Sequence, residues 1–296
     1  MRVDLRFIFF AMLTAILLGA LPVYAVGQTP LGMVTDLTGK VWVSSSSDAS
    51  SRQALTILSY VDVGMLIEVD KGASVSVTLY SPPEEYVFAG PAKFRVEPQG
   101  LSKVEGKPPS IQHLGELAAE TTSQALNQGS RRTLAVARMR GTAFAPFIVG
   151  LSPDKTAVRS TAPRFVWNAQ PGIDRYRVTL NAGDGSSLLE EWVSSAEWRL
   201  PSAYALTPGK NYAWAVEAVP AAGKTLRGQA RFSILEADVV ARLEAETPKS
   251  GASFAYRLRH ALTLETLGLS EESRALWSEL ARERPGEPAV QERAQP

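Results

Sequence analysis

The sequence contains no cysteine. Disulfide staples and thiolate-held zinc are therefore excluded, and stability has to come from packed cores. Histidine is nearly as scarce: there are two, His113 and His260, far apart in the chain. A histidine metal site needs clustered ligands, such as a pair at i and i+4 on one helix, and neither residue has such a neighbour. Each is expected as a surface or half-buried helical residue. Charge of one sign is missing as well, with 31 Lys and Arg against 30 Asp and Glu. The basic excess that accompanies nucleic-acid binding is absent, so no nucleic-acid partner is expected. Neither a Gly-x-Ser-x-Gly elbow nor a phosphate-binding glycine loop is spelled anywhere, which removes the usual hydrolase and nucleotide signatures.

Arg2 and Arg6 precede an apolar run, Phe7–Leu21, of 15 residues. Pro22 breaks the run, and Val23-Tyr24-Ala25 places small residues where an export peptidase reads. This order predicts a signal peptide over residues 1–25, cleaved after Ala25, and a periplasmic location. The alternative is a retained anchor, but the run is shorter than the roughly 20 residues that span a bilayer as a helix. Membrane contact is expected only through this segment, if it is left uncleaved. No cysteine follows the run, so no lipid can be attached there. The remaining length suits two or three domains.

From residue 26 to Gly106 the pattern is of short strands: Val41-Trp42-Val43, Met65–Val69, Val75–Leu79, Tyr86-Val87-Phe88 and Phe94-Arg95-Val96. Val75–Leu79 alternates as a half-buried strand does. Asp70-Lys71-Gly72 and Gly90-Pro91 are turn signals between strands. Such spacing predicts a compact β-sandwich or solenoid-like domain. Gly32–Val43, Val63–Ile67, Gly72–Leu79 and Arg140-Gly141-Thr142-Ala143-Phe144 resemble the glycine-spaced strands of FecR-type domains. The resemblance implies a FecR-like periplasmic β-domain over 26–106, completed by a strand near 131–145. The best-known members of that family relay signals from an outer-membrane receptor to a cytoplasmic sigma factor, which requires a cytoplasmic segment before the membrane helix. Six residues precede the apolar run here, so the sigma-factor role is not carried over.

Residues 107–150 read as a linker opened by Lys107-Pro108-Pro109. Within it Leu114, Leu117, Ala118 and Thr121 recur at helical spacing, predicting a short helix to about Leu126. Residues 151–235 read as a second β-domain. Its strands are 163–167, 176–180, 188–193, 211–219 and 231–234, with Trp167, Tyr176, Tyr212, Trp214 and Phe232 as the expected core. Leu206-Thr207-Pro208-Gly209-Lys210-Asn211-Tyr212 resembles the leucine, Pro-Gly turn and tyrosine strand of fibronectin type III domains. The resemblance implies an immunoglobulin-like sandwich with Tyr212 as a tyrosine corner.

Residues 236–285 show helical stripes: Val239, Val240 and Leu243; then Phe254, Leu258, Ala261, Leu262 and Leu267; then Leu276, Trp277 and Leu280. Gly268 is placed as a helix-ending glycine and Ser270 as the next cap, with Glu271 and Glu272 in the first turn. The pair resembles a tetratricopeptide-like hairpin. One hairpin cannot bury its own faces, so it must dock on the sandwich or on another protein. Residues 286–296 are polar and expected to be a flexible tail. The fold class is therefore mainly β, with a C-terminal helical hairpin.

Chemistry-bearing patterns are few. Glu84-Glu85 and Glu190-Glu191 are adjacent on strands, so each pair points to opposite faces and cannot flank one glycosidic bond. Both are expected at solvated turns or edges. Ser152-Pro153-Asp154-Lys155 spells Ser-x-x-Lys but lies outside a helix and lacks the companion motifs. Arg131, Arg132, Arg138 and Arg140 form a basic cluster that could meet an anionic envelope polymer. No cofactor, metal or catalytic residue is expected. The functional expectation is a non-enzymatic exported envelope protein that binds or scaffolds, with an envelope protein or anionic polymer as partner. A sensing or signal-relay component is the alternative, and a cell-wall glycan enzyme a second one.

Overall fold

The computed structural model describes residues 30–45, 48–129, 147–201, 203–220 and 224–295. The expected signal peptide, the arginines at Arg131, Arg132, Arg138 and Arg140, and the strand expected near 131–145 lie outside the described residues.

The first unit is a pair of stacked antiparallel sheets. Its strands are β1 (Gly32–Thr38), β2 (Val41–Ser45), β3 (Asp48–Ala54), β4 (Tyr60–Val61), β5 (Leu66–Val69), β6 (Ser74–Leu79), β7 (Glu84–Ala89), β8 (Ala92–Glu97), β9 (Gly100–Glu105) and β10 (Ser110–His113). One sheet runs β10-β7-β6-β1-β4 and the other β3-β2-β5-β8-β9. Val34, Val75, Val77 and Phe88 of the first share a core with Val41, Ile67, Phe94 and Val96 of the second. Phe88 and Phe94 stack with centroids 3.7 Å apart. Asp70-Lys71-Gly72 makes a corner rather than a hairpin, because β5 and β6 belong to different sheets. Gly90 turns β7 into β8 beside it, donating its N–H to the Ala73 carbonyl at 2.8 Å. A Cβ on Gly90 would collide with the Asp70 carbonyl, so the two corners can meet only at glycine.

The sheets continue past Gly106. Lys107-Pro108-Pro109 leads from β9 of one sheet into β10, which pairs with β7 at the edge of the other, so the proline pair connects two strands of one unit and is not a domain boundary. His113 sits on that strand, largely exposed, 3.2 Å from Glu84, and not on a helix. The expected helix follows as α1 (Glu116–Gly129).

The second unit contains β11 (Thr156–Val158), β12 (Arg164–Val166), β13 (Tyr176–Ala182), β14 (Ser187–Val193), β15 (Glu197–Arg199), β16 (Asn211–Ala218) and β17 (Leu226–Ile234). A sheet of order β11-β17-β16-β13-β14 faces the β12-β15 pair. Trp167, Tyr176, Tyr212, Trp214 and Phe232 lie in one buried cluster. Phe165 is edge-on to Trp214 at 5.1 Å, and Trp167 to Tyr176 at 5.3 Å. The Tyr212 hydroxyl accepts the Thr207 N–H at 2.8 Å, closing the corner five residues upstream. Tyr176 makes a second such closure, accepting the Gln170 N–H at 2.8 Å.

Four helices follow: α2 (Ala237–Ala245), α3 (Phe254–Thr266), α4 (Ser270–Glu283) and α5 (Pro288–Arg293). The residues expected to be a flexible tail instead include α5. Its Val290 is fully buried, and the Gln291 amide donates to the Ala281 carbonyl at 2.7 Å. An apolar residue one turn inside a polar segment was enough to dock it. Ser270 opens α4 without capping it. The cap is supplied across the fold by Thr156 of β11, whose hydroxyl accepts the Ser270 N–H at 3.1 Å. Gly268 ends α3 with a φ of +76°, the left-handed turn that glycine makes without cost.

The docking partner of these helices is the first β-unit. Phe254, Leu258, Leu262, Trp277, Leu280 and Val290 belong to the same core cluster as its two sheets. Strand β6 is therefore not half-buried: Ser76 and Thr78, its polar face, are covered too. Smaller contacts reach the second unit, where the Ala157 N–H donates to the Gly268 carbonyl at 2.7 Å and Arg159 pairs with Glu272. The chain is mainly β, with a helical layer touching both β-units. No described helix is long and apolar enough to cross a membrane.

Candidate functional site

The sandwich aromatics named from sequence are brought together as one buried core cluster. The two acidic pairs separate as strand geometry requires. Glu85 is not solvated, however. It is 2 % exposed and lies 2.6 Å from Arg259 of α3, with Thr35 and Thr78 beside it. The Arg259 Nε in this buried group has no hydrogen-bond partner. Glu84 on the other face accepts from the Tyr86 hydroxyl at 2.7 Å. Burial, then that bond and the Glu84 charge, push the Tyr86 hydroxyl up to about 12. On β14, Glu191 accepts from the Trp198 indole at 2.9 Å and Glu190 faces Arg177 at 3.8 Å.

His260 is on a helix as expected, but it is buried rather than at the surface. Burial, with the nearby Arg159 charge, lowers its pKa to about 4. Ser152 donates to Glu271 at 2.5 Å, a bond that ties the second unit to α4 and gives the Ser-x-x-Lys spelling a structural use. Among the described residues no group of three or more His, Asp or Glu is placed to hold a metal ion.

One exposed sheet edge with a groove beside it is β14. The strand ends its sheet, with β13 on one side and no strand on the other. Leu188 and Trp192 are 42 % and 45 % exposed. The Arg175 guanidinium lies 4.7 Å from the centroid of the Trp192 ring, which holds the indole in place at modest cost. Beside the strand is a groove of about 660 Å³ lined by Leu180, Leu188, Leu189, Leu200, Tyr204 and Leu206. Tyr204 at its rim is 47 % exposed. Strand-addition sites combine an open sheet edge with such a groove: the peptide backbone pairs with the edge and alternate side chains enter the groove. Sequence reading located β14 but not its edge position, which depends on the order of strands in the sheet. The one signal was an exposed-type residue pattern in which Leu188 and Trp192 both fall on the outer side.

No family model and no curated protein matches the chain. Among solved structures, a human collagen alpha-1(XX) fn3 domain is 20 % identical, covering 40 % of this chain and 98 % of that one, with a TM-score of 0.27. An Fn3-like protein from Clostridium thermocellum is 22 % identical over 31 % of this chain and 97 % of its own, at 0.23. A two-domain fibronectin type III segment of chicken tenascin is 12 % identical over 68 % and 94 %, at 0.24. The assignment of a sandwich to residues 151–235 rests on the strand pairing described above.

Proposed function

We propose that the chain is an exported, non-catalytic binding scaffold of the cell envelope, and that it takes a protein partner by strand addition at β14. The observation that carries this reading is the open β14 edge with its flanking groove and exposed Leu188, Trp192 and Tyr204. The aromatic cluster of the second unit forms its own core, and the apolar faces of α3, α4 and α5 contribute to the core of the first unit. Of the two docking elements expected, a β-domain edge strand and the helical tail, this reading takes the edge strand. Glu190 on the exposed side favours an incoming strand that carries a basic residue opposite it.

The test is a photo-crosslinking residue at position 190 of the full chain in intact cells, with partners identified by mass spectrometry. A single envelope protein, captured through an extended segment and lost with Trp192→Ala plus Leu188→Ser, supports the reading. Capture that ignores those substitutions, or full-length chain found with its leader in the cytosolic fraction, defeats it. The relay reading is favoured by one observation: the helical layer bonds to both β-units. Under it, peptide binding at β14 should alter hydrogen exchange in β1 and α3.

A further inference from the structure

A second concavity adjoins the groove beside β14, sharing Asn211 and Tyr212 with it, and lies where the sandwich meets the α3–α4 turn. Its volume is about 650 Å³, within the range of small-molecule sites. Lys155, Asn181, Asn211, Arg231 and Ser233 line it, together with Leu267-Gly268 from the helical layer. Asn181, Ala213 and Arg231 occupy one cross-strand row of β13, β16 and β17, and Asn211 and Ser233 the next. The polar groups thus converge on one patch of sheet.

Two cations line this space and no carboxylate does. Neither the Lys155 nor the Arg231 side chain has a hydrogen-bond or ion-pair partner among the described residues, and both residues are exposed. The contrast on the same sheet face is Arg177 and Arg227, which are both held by Glu217. Asp154, next to Lys155 in the chain, accepts the backbone N–H of Arg231 at 3.4 Å and is not part of the lining. Lys155 also keeps a φ of +51°, a left-handed conformation that is strained for a residue with a side chain. Its N–H donates to the Arg231 carbonyl at 2.6 Å, so the two cationic residues are held side by side by backbone. Strain kept at a lysine beside an open, acid-free hollow is the combination found where charge is presented to a ligand.

We infer that this concavity binds a sugar unit bearing a carboxylate or a phosphate. Lys155 and Arg231 meet the anionic group through charge-assisted hydrogen bonds. The amides of Asn181 and Asn211 and the Ser233 hydroxyl can both give and take hydrogen bonds, which suits a ring rich in hydroxyls.

The experiment is isothermal titration calorimetry of the full chain with glucuronate, glucose 6-phosphate, glucose, inorganic phosphate and a uronate oligomer. At least one acidic monosaccharide should bind with a dissociation constant on the order of a millimolar. Glucose and inorganic phosphate should each bind at least about tenfold more weakly, since each lacks half of the contacts. Lys155→Gln with Arg231→Gln should weaken acidic-sugar binding by about tenfold or more, while circular dichroism stays native. Asn181→Ala should narrow the gap between sugar phosphate and phosphate. Trp192→Ala, which tests the β14 reading, should change nothing here. A uronate oligomer that binds more tightly than the monomer identifies a polymer as the source, and equal affinity identifies the free sugar; both support the site. No binding by either acidic sugar, binding unmoved by the double substitution, or phosphate binding as tightly as the sugar phosphate overturns the inference.

Discussion

Glu85 and Arg259 hold opposite charges with side chains only 3 % and 4 % exposed. Their attraction has to offset the loss of hydration on both, so the pair adds little net stability while intact. Removing one partner is a different matter. Arg259→Met strands the carboxylate among Thr35 and Thr78 and is expected to cost about 3–5 kcal/mol in urea denaturation. The double substitution Glu85→Leu with Arg259→Met should recover much of that loss. His260 next to it makes stability depend on pH. Its folded pKa of about 4 lies below its ordinary value of 6.5, so the unfolded chain binds the proton more readily. The His260 contribution is therefore complete above about pH 6.5 and is lost as pH falls toward 4. After screening by solvent it amounts to about 1–2 kcal/mol. Denaturation midpoints at pH 7.5 and pH 4.5 should differ accordingly, and His260→Gln should flatten the difference.

At the scale of elements, helix ends are satisfied by distant parts of the chain. The Glu246 carboxylate, just after α2, accepts the N–H groups of Leu117 and Ala118 at 2.9 Å each. It caps α1 across more than a hundred residues and places negative charge at the positive end of that helix. Glu246→Ala is expected to cost about 1–2 kcal/mol, read from the thermal midpoint, with loss of amide protection confined to the start of α1. The residue before α5 ties that helix to the first unit: Glu287 accepts the N–H of Ile57, in the turn before β4, at 3.1 Å. Deleting residues 286–296 uncovers Trp277, so the fluorescence should shift to the red and stability should fall by about 2–4 kcal/mol. A tail without structural role would leave both unchanged.

For the whole molecule, the helical layer is the third layer of the first β-unit. The face of β1 and β6 that carries Thr35, Ser76 and Thr78 would be open without α3. Truncation after residue 235 is therefore expected to leave residues 30–129 without a native core. The measurement is dye binding and a partial loss of near-ultraviolet circular dichroism, the remaining signal coming from the surviving aromatic cluster of the second unit. Unfolding of the intact chain should accordingly group β1–β10 with α3–α5 in one transition, because they share one apolar cluster. A truncated chain that kept native first-unit signals would refute this coupling.

Local patterns were enough for much of this. The period-2 strands, the Tyr212 corner, the Gly268 stop and the mainly β class follow from side-chain alternation and turn chemistry, which act within a few residues. The sequence by itself also determined that no thiol chemistry is possible. The tertiary structure alone decided which sheet each strand joins, that Lys107-Pro108-Pro109 falls within the first unit, and that Glu85 is buried. It alone placed Lys155 beside Arg231, which are 76 positions apart. The physical reason is the same in each case. A strand's neighbours, a helix's cover and a charge's solvation depend on long-range packing, where Arg259, Glu246 and Thr156 meet partners that no local pattern names.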